Sequence, residues 1–189
     1  MMDSFERFGL PRQLVLDSGL VEEAIREELK RAHPDAGGGE GEFEQLRQAA
    51  DLIKSPMGRL AMALEILGRK INERGSVPGK VMDFFAPVAG TLQKVDCFVA
   101  ARGKAVSGLG KAVLDARVPG LKRALEELLE EIVALEDSYL GRFGRFDEEG
   151  WERCLDEMGE VHRAMSFLRK WLAQLREATG KIFEALLAG

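Results

Sequence analysis

The sequence predicts an all-α protein, and three observations predict it. Proline is scarce, 6 in 189 residues, while Leu, Ala, Glu, Lys and Arg are abundant, the composition of good helix formers. Apolar residues recur at spacings of three and four along most of the chain, the period of a helix that buries one face. Beyond residue 80 no segment alternates apolar and polar residues convincingly enough to read as a strand. With 46% hydrophobic and 31% charged residues, the balance suits a soluble globular protein of one ordinary domain or two small ones.

The elements follow in order. Residues 1–18 hold Phe5, Phe8, Leu10, Pro11, Leu14 and Leu16, a short apolar anchor followed by a turn. Asp17 or Ser18 caps a helix over 19–32, with Glu22 and Glu23 in its first turn. Its apolar face is Val21, Ile25 and Leu29, and Pro34 stops it. The run from Asp35 to Gly41 has loop composition. A second helix starts near Glu42, sets Phe43, Leu46, Ala49, Ala50 and Ile53 on one face, and ends at Ser55-Pro56. A third carries Leu60, Ala63, Leu64 and Leu67 to about Gly68.

Gly75-Ser76-Val77-Pro78-Gly79 is the best boundary in the chain, dividing residues 1–74 from 75–189. Beyond it the pattern predicts a helix over 80–105, with Pro87 and Gly90 as points of kinking. Gly103, Gly108, Gly110 and Pro119-Gly120 mark breaks or bends. A strong helix over 121–140 sets Leu125, Leu128 and Ile132 opposite paired glutamates. Phe146 to Trp151 reads as a turn and helix start with Asp147 as its cap, and the last helix runs to about Leu187. Residues 80–118 carry 6 basic and 3 acidic side chains, and residues 121–165 carry 6 and 13; opposite signs favour packing these helices together, although single surface pairs contribute little. Three long amphipathic helices must bury their stripes on one another, so a three-helix bundle is the simplest product.

Several function classes have little support. Net charge is −5, from 27 basic and 32 acidic residues, whereas binding a phosphate backbone needs a basic stripe, so no nucleic-acid partner is expected. No apolar run approaches the ~18 residues of a membrane span, and no membrane partner is expected. Asp3, Glu6 and Arg7 interrupt the start of the chain, which does not read as a leader. Cys97 and Cys154 form no framework, which points to a reducing compartment, with both read as small buried hydrophobes. His162 reads as a core or boundary histidine, and Glu126, Glu127, Glu130 and Glu131 as a solvated face. No metal or cofactor is expected, and no set of nucleophile, base and orienter is visible, so the chain is not expected to be an enzyme.

The informative triplet is His33-Pro34-Asp35, placed between two helices that run antiparallel. Taken alone it reads as a turn with a solvated histidine. Its context resembles the J-domains, modules that stimulate ATP hydrolysis by DnaK-type chaperones, and most closely the HscB family of iron–sulfur cluster assembly. Met2 to Pro11, which contains Phe8-Gly9-Leu10-Pro11, is similar to that family's opening, and Leu16-Asp17 to the pair before its second helix. Gln48 to Leu52, and Ser55-Pro56-Met57-Gly58-Arg59-Leu60-Ala61, resemble its third helix and the turn into its fourth. Leu64 to Gly68 fits the end of the J-domain, Phe146 to Trp151 the acidic turn ending in Trp, and Ser166 to Lys170 a later Phe-Leu step. The likeness is good over about the first 70 residues, moderate over about the last 45, and only helical between.

The resemblance implies an N-terminal J-domain helical hairpin (1–74) and a C-terminal three-helix bundle (75–189) that binds a client or scaffold. It implies that His33, Pro34 and Asp35, with the bases Arg26, Lys30 and Arg31, engage a DnaK-type chaperone in the cytoplasm. The client would be an iron–sulfur scaffold protein, held by Val81, Met82, Phe85 and Phe167, although core packing competes for these side chains. The tetracysteine zinc module of some members is absent, so no metal is implied. Glu22, Glu23, Glu27 and Glu28 dilute the basic face, Ala32 replaces the usual aromatic before the histidine, and Ala36 replaces a base. These departures keep a second reading open: a helical protein-interaction module whose degenerate J-domain does not activate a chaperone.

Overall fold

The computed structural model describes residues 3–33, 39–69 and 76–188, all of them helix, turn or irregular, with no strand. Ten helices occur among them: α1 Ser4–Arg7, α2 Ser18–Arg31, α3 Glu40–Lys54, α4 Pro56–Ile66, α5 Gly79–Met82, α6 Phe85–Lys104, α7 Gly108–Asp115, α8 Val118–Leu140, α9 Phe143–Glu149 and α10 Trp151–Leu187. They form two compact units, Met1–Ser76 with Tyr139–His162, and Val77–Ser138 with Arg163–Gly189.

In the first unit, α2 begins where the sequence predicts. The Asp17 carboxylate accepts the Leu20 N–H at 2.9 Å, and Val21 and Ile25 are buried. α3 packs on α1, α2 and α4. Ser55 ends α3 and caps α4, its hydroxyl accepting the Gly58 N–H at 3.3 Å, with Pro56 in the first turn. The approach there is tight: a Cβ on Gly58 would sit 2.0 Å from the Leu52 carbonyl oxygen. The core of this unit holds Phe5, Leu14, Leu46, Ile53, Leu60, Phe143, Phe146 and Met158, and Phe5 leans on Trp151 with ring centroids 5.9 Å apart.

Two charged side chains organise the segment before α2. The buried Arg59 donates from Nε to the Leu14 carbonyl at 2.7 Å, and from Nη1 to those of Ile53 at 2.8 Å and Lys54 at 3.1 Å. Burial pulls its guanidinium pKa below the ordinary value, and the nearby Asp147 carboxylate pulls it back up. Asp147 itself accepts the Leu14 N–H at 2.8 and 2.9 Å, the Val15 N–H at 2.9 Å and Trp151 Nε1–H at 2.9 Å. The expectation that Asp147 caps the last helix is therefore corrected. It lies inside α9, and its carboxylate ties residues 14 and 15 to Trp151. The entry to α10 is made by Gly150, whose φ of +91° admits the sharp turn between α9 and α10.

The second unit is a three-helix bundle with two short helices added. α6 meets α10 through Phe85, Phe167 and Trp171 and through Lys181 Nζ, 3.9 Å from Asp96. α8 meets α10 where Arg169 Nε donates to Glu136 at 2.8 Å. α6 and α8 share a groove of about 600 Å³ that includes Phe98 and Leu121. The buried stripe reads Val88, Val95, Phe98, Leu125, Ile132, Leu168, Leu175 and Ile182. As the sequence predicts, Glu126, Glu127, Glu130 and Glu131 are exposed.

Three expectations change here. The helix over 80–105 is broken at Asp83-Phe84 rather than kinked at Pro87 or Gly90. Restarting at Phe85 puts Pro87 in the first turn of α6, where its missing N–H has no intrahelical partner to lose. α8 begins at Val118 rather than 121, which places Pro119 in its first turn for the same reason. Residues 108–115, read as a break, form α7.

Cys97 is also corrected: it is exposed, while Cys154 is buried. The buried positions of α6 are 88, 91, 95, 98 and 102, and Cys97 lies about 100° around the helix from Phe98. Burial pushes the Cys154 thiol up, and its hydrogen bond to Glu149 at 3.6 Å reinforces this. Because the folded thiol holds its proton more tightly than the unfolded one, its contribution to stability is full below the unfolded pKa of about 8.5 and is lost as pH rises past it. Iodoacetamide at pH 8 should add one adduct to the native chain, at Cys97, and a second at Cys154 only in denaturant. Peptide mass mapping reads both, and native modification of Cys154 would contradict its burial.

Candidate functional site

The candidate site is the junction of α2 and α3. α2 ends because Pro34 disfavours helical backbone in the residue before it. Ala32 closes the last turn by donating its N–H to the Glu28 carbonyl at 3.0 Å. His33 then stands exposed, its ring edge-on to Phe43 with centroids 5.3 Å apart. His33 follows α2 and Phe43 lies in the first turn of α3, so the two helices run antiparallel, as the sequence predicts. Pro34 and Asp35 lie outside the described residues, as do Ala36 and most of the glycine run.

The three bases of α2 are all exposed. Arg26 lies 3.7 Å from Glu23, and Arg31 lies 2.5 Å from Glu28. Both are pairs three residues apart on one helix, so two of the three positive charges are locally offset. The field this face projects is therefore weaker than its count of bases suggests.

The client residues that the resemblance implies separate. Val81 is fully buried and belongs to the core of the second unit, which removes it from any exposed face. Met82 and Phe85 are exposed, 51% and 38%, and Phe167 is half-buried. The structure brings Phe85 and Phe167 together across α6 and α10, centroids 5.4 Å apart. Beneath them lies Trp171, itself buried, edge-on to Phe85 at 4.8 Å and 5.9 Å from Phe167, a support for the pair rather than part of an exposed face. The sequence reading missed it, although Phe167 and Trp171 are four residues apart and share a helix face. Among the described residues no group of three or more His, Cys, Asp or Glu could hold a metal ion, and no helix is long and apolar enough to cross a membrane. His162 is buried.

Comparison with known proteins bears on these placements. Over 79 residues the chain is 35% identical to a co-chaperone protein HscB homolog of Aliivibrio fischeri strain MJ11, and equally to that of strain ATCC 700601 / ES114. The chain resembles HscB. Each match covers 37% of this chain and 46% of the relative, so it spans less than half the length of the HscB proteins it matches. Chaperone HscB from Vibrio cholerae shares the fold, with a TM-score of 0.64 at 19% identity, covering 96% of this chain and 99% of that one. The all-α HscB-like fold expected from the sequence is thereby borne out. No family model matches the chain.

Proposed function

We propose that the chain is a J-domain cochaperone that stimulates a DnaK-type ATPase and hands it a client. In this reading residues 1–74 carry the chaperone-facing hairpin, with His33, Pro34 and Asp35 at its tip and Arg26, Lys30 and Arg31 on its flank. Residues 75–189 hold the client, an iron–sulfur cluster scaffold protein, on Met82, Phe85 and Phe167. The chain does no covalent chemistry of its own, takes no cofactor and works in the cytoplasm. The observation that carries the reading is the exposed His33, braced on Phe43 between two antiparallel helices, in a chain similar to HscB co-chaperones. Such a tip acts by binding one conformation of its partner better than another, which shifts the partner toward hydrolysis.

The second reading, a hairpin that binds without activating, is favoured by one specific observation: Arg26 and Arg31 are each committed to a glutamate of their own helix. Single-turnover ATP hydrolysis by the DnaK-type chaperone of the same cell separates the two. Wild type should accelerate hydrolysis, and His33→Gln should lose about tenfold or more of that acceleration, as removing a contact of ~1.4 kcal/mol or more would. The helical circular dichroism of the variant should be unchanged, because His33 is exposed. No acceleration by wild type at tens of micromolar would leave the second reading. A pull-down with the scaffold, in apo and cluster-loaded forms, tests the client; no binding in either form removes it.

A further inference from the structure

α7 is built inside out. At 100° per residue, Leu109, Ala112 and Val113 share one side of the helix with Ala116 at its end, and all four are exposed, Leu109 77% and Val113 56%. The opposite side, Gly110, Lys111, Leu114 and Asp115, is half-buried. Asp115 tethers the helix, accepting from Nε of the buried Arg102 at 2.8 Å. The carboxylate thus faces the protein beside Leu114, while Leu109 and Val113 face water, an apolar side that an ordinary surface helix would bury. Val106, just before the helix, is 97% exposed. An apolar face presented in this way marks an interaction surface.

The charge around it selects what covers it. Of the six bases in residues 101–123, Arg102 is buried and paired with Asp115, the one acid of that stretch, and Lys111 lies on the inner side of α7 in a pocket it shares with Glu184. Lys104, Arg117, Lys122 and Arg123 are exposed, in a chain whose net charge is −5. A second copy laid face to face would bring two positive regions together, which is unfavourable. A stable protein interface needs roughly 800 Å² from each partner, more than three aliphatic side chains around an eight-residue helix supply. An anionic lipid surface needs neither: a few apolar side chains enter the headgroup boundary while flanking cations meet the phosphates. The expectation of no membrane partner rested on the lack of a span, and a helix lying in the interface needs none.

We propose that α7 docks the chain on an anionic lipid surface, with Val106, Leu109 and Val113 entering the headgroup boundary and the exposed Lys104 and Arg117 beside them holding lipid phosphates. The full chain should pellet with vesicles of phosphatidylglycerol and phosphatidylcholine, and about tenfold or more weakly with phosphatidylcholine alone or in about 0.5 M salt. Leu109→Glu with Val113→Glu should weaken pelleting by a similar factor while leaving the melting temperature unchanged, because both side chains are exposed. If that variant misfolds, Lys104→Glu with Arg117→Glu is expected to give the same loss. The proposal is overturned if wild type does not pellet with the anionic vesicles, or if folded variants pellet like wild type. It is equally overturned if sedimentation velocity finds a wild-type dimer that the Leu109/Val113 variant converts to monomer, since a second copy would then cover the face.

Discussion

Replacing Arg59 with Met is expected to destabilise the chain by about 3–5 kcal/mol, the range for removing one member of a buried, compensated charge arrangement. Methionine fills most of the volume, so the loss is polar. The carbonyls of Leu14, Ile53 and Lys54 would each lose a guanidinium donor, and a buried unsatisfied carbonyl costs about 1–3 kcal/mol. Asp147 would also lose the cation whose field it feels. For a chain of 189 residues, a loss of that size lowers the melting temperature by roughly 10 °C or more. Arg59→Lys should recover part of it: an ammonium keeps the charge but lacks the fork that reaches three carbonyls on separate segments. Thermal melts by circular dichroism check both variants, and a shift of only a degree or two for Arg59→Met would show that water replaces the guanidinium without cost.

This arrangement shows what could and could not be read from the sequence. Asp17 was legible as a cap because a cap acts within three residues of itself, and Ser55-Pro56 was legible as the end of α3; that Ser55 also caps α4 came from the structure. The packing faces of α2 and α3 were legible from the helical period. Asp147 was not, because its partners lie at Leu14 and Val15, separated from it by 133 and 132 residues. A local reading could offer it only a local role, as a cap. α7 was missed for a different reason. Gly108 and Gly110 lower its helix propensity, and Leu109, Ala112 and Val113 face outward, leaving Leu114 alone on the inner side, so no buried stripe signals it. In the client region, the family resemblance groups Val81, Met82, Phe85 and Phe167; Val81 turns into the core, while Met82, the next residue of α5, and Phe85, beyond the break at Asp83-Phe84, stay exposed. The His33 environment was half legible. Its place between two helices followed from Pro34 and the loop composition, but its ring contact with Phe43 needed the antiparallel register.

Leu14 makes the final test specific. The Val15 N–H goes to Asp147 and the Leu14 carbonyl to Arg59, so the peptide unit that joins these two residues is held from both sides by opposite charges. Asp147→Ala is expected to cost about 2–4 kcal/mol, since the N–H groups of Leu14 and Val15 and the Trp151 indole N–H lose one shared acceptor. Asp147→Asn should recover little, because an amide group offers one oxygen where the carboxylate uses both, and turns N–H donors toward N–H donors. The loss should be local before it is global. Leu14 and Val15 should exchange their amide hydrogens faster than those of α3, whose own hydrogen bonds are untouched. If Leu14 is the shared element, the two substitutions cannot be independent: once Arg59→Met has released its carbonyl, removing Asp147 frees a peptide already half detached. The double variant should therefore be less destabilised than the sum of the single variants by about 0.5–3 kcal/mol. Strict additivity in denaturant melts would mean that Arg59 and Asp147 hold separate parts of the first unit, and that the peptide between them transmits nothing.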